Sequence, residues 1–246
     1  MPTIDLNADL GEGGSQDAAL MPLTSSVNIA CGGHAGDEES IRRSVELAIQ
    51  AQVAIGAHPG YEDPENFGRK PVHLSTGEIR NLILRQLERM LRIHPQLHHV
   101  KPHGALYNQS NQDNSMAAAL VAAIAEVQPN TILYCPPHGA LAIAAAEIKL
   151  ATCAEGFIDR RYQNDGNLCP RTHERALIED IDEAVSQALK IAIQQTVTTL
   201  NGATIPLNAR TLCVHGDSPD AVELLRLSRS SLEQAGIQIT APSFFA

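Results

Sequence analysis

Two stretches, KPHGAL at 101–106 and PPHGAL at 136–141, repeat the pentapeptide Pro-His-Gly-Ala-Leu in the same local setting. Each follows a short β-prone run, HHVKP (98–102) and TILYC (131–135), and each precedes an alanine-rich stretch. A histidine and a glycine directly after a strand, twice in succession, point to a repeated strand–loop–helix unit. The same grammar extends outward in both directions. GGHAG (32–36) follows SSVNIA (25–30), AHPG (57–60) ends VAIGA (53–57), and VHGD (214–217) ends TLCVH (211–215). PTIDLNA (2–8) and ATCAEG (151–156) complete seven strand-like runs.

Helical periodicity lies between them. Ile41, Val45, Ala48 and Ile49 mark one apolar face over 38–52, and Ile79, Leu82, Ile83, Leu87 and Met90 another over 76–93. Ser75 and Glu78 form an S-x-x-E capping box at the second helix start. Residues 115–127 are alanine-rich, 173–195 read as one long amphipathic stretch, and Ser218-Pro219 opens a final helix that Gly236 closes. TVTTLNGATIPL (196–207) reads as a hairpin around Asn201-Gly202. Strands alternating with helices predict an α/β fold with a parallel sheet, and seven units over this length suggest a closed or nearly closed barrel. An open doubly wound sheet is the rival. No linker-like or low-complexity segment divides the chain, so one domain over 1–246 is expected.

Composition narrows the function. With 28 acidic against 18 basic residues and a net charge of −10, the chain lacks the basic footprint of a nucleic-acid binder. Its five cysteines are dispersed, with no C-x-x-C pair, which suits a reducing compartment. No uncharged run approaches the length of a membrane span, and the first ten residues have no signal-peptide pattern, so a cytoplasmic protein without a membrane partner is expected.

In a parallel barrel every strand's C-terminal end faces one rim, where active sites are built. The histidines at strand ends would therefore converge with Asp5, Asn7 and Asp9 of the first strand and Glu155 and Asp159 after the sixth. Neutral histidines with carboxylates bind a divalent cation or act as acid and base near neutral pH. Lys101, Arg160 and Arg171 could engage a carboxylate or phosphate. The His94/His98 pair imitates a metal motif, but Pro95 breaks the helix that would aim it. His73 and His173 suit turns, Asp37 and Glu38 suit a helix start, and Cys31 suits packing. The Walker-type G-x-x-x-x-G-K-[ST] loop, H-E-x-x-H and G-x-S-x-G are absent, and GEGG (11–14) is too short for a dinucleotide fingerprint.

Together, DLNADLGEG (5–13), NIACGGHAGD (28–37), GAHPGYEDP (56–64), VKPHGALYN (100–108), EGFIDRRY with DGNLCPR (155–171) and CVHGD (213–217) resemble the LamB/YcsF family over practically the whole chain. The resemblance implies a seven-stranded parallel β/α (TIM-like) barrel related to polysaccharide deacetylases. It also implies opening of the lactam ring of 5-oxo-L-proline to L-glutamate, coupled to ATP hydrolysis, by a 5-oxoprolinase whose subunits B and C are the partners. ATP is then expected on this chain or on a partner.

On this reading Asp9, Glu12, His34 and His103 are the candidate catalytic residues. Asn7, Asn28, Lys101, Glu155, Arg160, Arg171, His215 and Asp217 are the candidate substrate-binding residues. Analogy with barrel deacetylases adds a divalent metal on Asp9, His58 and His103. A stand-alone metal-dependent deacetylase of acetylated sugars and a non-catalytic substrate-binding subunit are the alternatives. Two departures from the family pattern stand out: a short loop over residues 11–22, and Gly33 where the family commonly has phenylalanine.

Overall fold

A computed structural model describes residues 1–243. Ten strands and eight α-helices follow one another as β1 (Thr3–Leu10), α1 (Asp17–Leu20), β2 (Ser26–Ala30), α2 (Glu38–Ala51), β3 (Ala54–His58), α3 (Thr76–Ile93), β4 (His99–Val100), α4 (Gly104–Gln112), α5 (Asn114–Val127), β5 (Ile132–Cys135), α6 (Ala140–Glu147), β6 (Ala151–Phe157), α7 (Ile181–Gln194), β7 (Thr196–Thr198), β8 (Thr204–Pro206), β9 (Thr211–His215), α8 (Ala221–Gln234) and β10 (Gln238–Ile239) among the described residues. β1 to β6 and β9 pair in parallel in that order. β9 returns to β1, with Asp5 opposite Thr211 and Asp9 opposite His215, so seven strands close a barrel. Among the described residues β10 pairs only with the start of β1, and β7 and β8 form the antiparallel hairpin expected from Asn201-Gly202.

Both faces of the barrel wall are buried, but for different reasons. Leu6, Ala8 and Leu10 of β1, Val27 and Ile29 of β2, and Leu212 and Val214 of β9 pack in the apolar layer under the helices. Their alternates line a polar interior. Asp5 accepts hydrogen bonds from Ser25 Oγ (2.6 Å), Ser26 Oγ (2.7 Å), Thr211 Oγ1 (2.6 Å) and Tyr134 OH (3.0 Å). The four hydroxyls come from three chain segments and replace the water that this buried carboxyl lost on folding. Burial still pushes its pKa up, against those bonds. Gly56 makes room for the next layer: a Cβ there would lie 2.2 Å from His99 Nε2.

Local signals place the helices. Asp37 caps α2 and Ser75 caps α3, each in a reciprocal capping box with Ser40 and Glu78. Three expectations change. The stretch from 173 becomes helical only at Ile181, where Asp180 accepts from Glu183 N–H; His173 lies in the preceding turns. Ser218 and Pro219 form a turn ahead of α8, whose cap position is Asp220 without a side-chain bond. The two PHGAL repeats enter α4 and α6, short helices that periodicity did not separate from their neighbours. No helix among the described residues is long and apolar enough to cross a membrane.

Candidate functional site

The loops after β1, β2, β3, β4, β6 and β9 meet at one end of the barrel. There Glu12, His34, His58 and His103 each offer one ligand atom, all within 4.8 Å of one another. The His34 and His103 rings stack at 3.6 Å between centroids, and His58 meets both edge-on. Glu12 Oε1 is 3.0 Å from His34 Nε2, 3.5 Å from His103 Nδ1 and 3.9 Å from His58 Nε2.

Hydrogen bonds fix the two central rings. His58 Nδ1 lies 2.7 Å from the Lys101 carbonyl and His103 Nε2 lies 2.9 Å from the Phe67 carbonyl. A carbonyl only accepts, so each of these nitrogens carries the proton. The remaining nitrogens, His58 Nε2 and His103 Nδ1, then face each other as lone pairs 2.9 Å apart. Two lone pairs at that distance need a proton or a cation between them. Burial pulls His34 down to about 4 and His103 well below the usual range, so those two rings are held neutral and free to act as donors. Three nitrogens and one carboxylate oxygen are an ordinary donor set for zinc and neighbouring divalent ions. The residues therefore fit a metal. Glu12, the oxygen donor, is raised to about 7, first by burial and then by the charge of Asp9.

The expected metal trio is only partly what converges. His58 and His103 are at the centre, while Asp9 stands beside them, its Oδ2 3.4 Å from His58 Nε2. Asp9 Oδ1 is already held by Lys101 Nζ at 2.9 Å and Asn28 Nδ2 at 2.8 Å. Lys101 is buried, with Glu155 Oε1 and Cys213 Sγ also at 2.9 Å. Burial pulls its ammonium down, but Asp9, Cys213 and Glu155 outweigh that and hold it well above its usual value. Asn7 and Asn28 lie one layer deeper. Asn7 donates to Thr211 and Glu155, and Asn28 bridges Asn7, Asp9 and His99. Both brace the charged layer from beneath and neither lines the cavity above it.

That cavity has a volume of about 440 Å³, and its wall includes Asp9, His58, Lys101, His103, Glu155, Arg160, Arg171 and His215. His215 Nδ1 lies 2.7 Å from Asp159 Oδ2, and its ring stacks on Phe157. Asp159 thus orients the imidazole and leaves Nε2 as the nitrogen for the cavity. Arg160 is nearly buried, and its guanidinium donates to the Cys169 carbonyl. Burial and the nearby Arg171 pull it down to about 10. Two desolvated guanidiniums repelling each other favour an anionic ligand. Asp217 pairs with Arg69, which lines the cavity wall.

The structure also separates some expectations from this centre. His138, of the second PHGAL, is exposed, and its carbonyl accepts from Asn111. His98 reaches the Pro242 carbonyl. Cys31 is buried, its thiol pushed up to about 12 by desolvation. Arg69, which lines the cavity and holds Asp217, escaped sequence reasoning because nothing in GRKP (68–71) marks it. Asp159 was legible only as a strand-end carboxylate, and its histidine partner lies 56 positions away.

Comparison with known proteins agrees with this architecture. The model of the LamB/YcsF family matches residues 4–245. The chain is 46% identical, over 97% of its length and 95% of the relative's, to the A subunit of 5-oxoprolinase from Methylococcus capsulatus. It superposes with a TM-score of 0.89 and 37% identity on a lactam utilization protein from Thermus thermophilus, covering 98% of this chain and 100% of the other. A family 4 carbohydrate esterase from Streptomyces lividans shares the fold at a TM-score of 0.53 and 12% identity, covering 99% and 94%. The closed parallel barrel, the strand-end blocks and these matches together place the chain in the LamB/YcsF family.

Proposed function

We propose that this chain is the ring-opening subunit of an ATP-dependent 5-oxoprolinase, hydrolysing the cyclic amide of 5-oxo-L-proline to L-glutamate. One observation carries the reading: a single cavity joins the His58–His103 lone-pair cluster to the Asp159–His215 pair. The relatives, a 5-oxoprolinase A subunit and a lactam utilization protein, supply the substrate by their names. A subunit implies partners, here proposed as subunits B and C, and the nucleotide step is proposed to lie with them.

Glu12, His34, His58 and His103 would hold a divalent cation, which supplies polarisation of a bound water or carbonyl. The chain's own groups supply the rest. Arg160 and Arg171 take the substrate carboxylate and set the ring's orientation. The Lys101 ammonium stands where negative charge grows on the carbonyl oxygen during attack. As water adds to the carbonyl carbon, its proton passes to the carboxylate of Asp9, which lines the cavity beside His58. As the C–N bond breaks, His215 Nε2 gives its proton to the departing nitrogen, and Asp159 stabilises the imidazolium that donates it.

The test is glutamate release from 5-oxoproline by the reconstituted subunits with ATP. His215→Gln and Asp159→Asn are expected to lower kcat about 100-fold or more with little change in KM, within the range that acid–base catalysis contributes. Retention of full rate by both variants would contradict the assignment. Turnover of acetylated sugars without partners or ATP would instead favour a deacetylase.

A further inference from the structure

Gln86 occupies the centre of the buried face of α3, among Ile79, Leu82, Ile83, Leu87 and Met90, and is 1% exposed. A carboxamide in an apolar stripe must find partners or lose stability. It finds both on one residue: Nε2 donates to the Gly60 carbonyl at 2.7 Å, and Oε1 accepts from Gly60 N–H at 3.1 Å. One turn further, Arg89 Nη1 donates to the carbonyls of Cys31 (2.9 Å) and Gly32 (3.1 Å). A single helix therefore holds the loop that carries His34 and the loop that follows His58.

Those loops touch the cluster itself. A Cβ on Gly60 would lie 2.6 Å from His34 Nδ1 and 3.1 Å from the His103 Cβ, so its backbone is in contact with the stacked pair. Gly33, the neighbour of His34, can bear no Cβ either: it would lie 2.6 Å from Gln86 Nε2 and 2.7 Å from the Gly60 carbonyl. Gly33 thus leaves the space that Gln86 passes through. His34 Nδ1 is buried without a hydrogen-bond partner, so packing against Gly60, the stack on His103 and the bond to Glu12 hold the ring.

We propose that Gln86, assisted by Arg89, is a positioning residue that sets the His34–His103 stack against His58 through Gly60. The inference rests on the cluster being a cation site, as proposed above, and adds the outer element that shapes it. Remote groups that orient ligands typically alter metal affinity 10- to 100-fold when lost.

Gln86→Met keeps length and helix propensity while removing both bonds. Cobalt(II) titration of this variant is expected to show a 10- to 100-fold loss of affinity and a displaced visible absorption band, with an unchanged far-ultraviolet spectrum. In cation-free protein, the imidazole ¹⁵N resonances of His34 and His103 should shift. Gln86→Glu, which keeps the acceptor for Gly60 N–H, should recover part of the affinity. Arg89→Met tests the same helix through the other loop and guards against a Gln86 variant that fails to fold. Unchanged affinity, band and ¹⁵N resonances in the folded variants would overturn the proposal. A wild-type chain that takes up no cobalt would overturn the metal reading instead, and the ¹⁵N comparison would still decide the positioning role.

Discussion

Asp159 shows how one residue's environment sets its chemistry. Burial alone would raise its carboxyl pKa, but the charge of His215 and the hydrogen bonds from its ring and backbone outweigh that and leave it lowered. A carboxyl depressed on folding stabilises the protein fully above its unfolded pKa, near 4, and loses that contribution as pH falls through its lower folded pKa. Asp159→Asn is therefore expected to cost about 1–3 kcal/mol at pH 7 and to flatten the fall of stability in acid. Denaturant titrations at pH 7, 4 and 3 would show it, and an unchanged acid slope would count against the pairing. At this scale the sequence was most readable where residues follow strands, as Asp9, His58, Lys101, His103 and His215 do. Asn7 and Asn28 face the same interior, yet they sit further back from the rim along their strands, which puts them beneath the cavity rather than on its wall. Gln86 left a trace too, as a polar residue in an apolar stripe, but only the fold shows that Gly60 is its partner.

Among the elements, strands and long helices followed their periods, and short ones did not. α6, ALAIAAAE, is apolar all round and gives no face to recognise, and α4 begins inside a motif that reads as a strand end. The stretch before α7 carries enough polar and apolar alternation to imitate a helix, yet its backbone bonds close turns at His173 and Ala176. β3 gives a sharper test. At Gly56 the His99 ring crosses the interior, and a Cβ would have only 2.2 Å to the nearest ring atom. Gly56→Ala should destabilise the protein by about 3 kcal/mol, at the upper end for overpacking. Chemical denaturation would measure this, and a cost near zero would mean that His99 relocates freely.

In the whole molecule, two environments nest around one wall. The apolar layer between strands and helices supplies stability, as in other β/α barrels. The interior departs from the usual branched aliphatic filling: Asp5 and its hydroxyls, then Asn7, Asn28, His99 and Glu155, then Asp9 and Lys101 form a polar column ending at the cavity. That column explains why the strands read as strands yet carry so many ionisable residues. The seven-strand closure and the gathering of strand ends on one rim were legible from the strand–helix units, while which of those side chains touch needed the barrel itself. Chelator-treated protein is expected to regain one equivalent of divalent cation per chain, and His103→Ala to regain none. Elemental analysis after dialysis would decide this, with equal uptake by both contradicting the metal site. Whether amide opening happens in this cavity is decided by the rate of glutamate release from 5-oxoproline in the reconstituted complex. Asp9→Asn, His58→Ala and His103→Ala should each release glutamate roughly 100-fold more slowly than the wild-type chain, or slower still. Full glutamate release by all three would contradict the account.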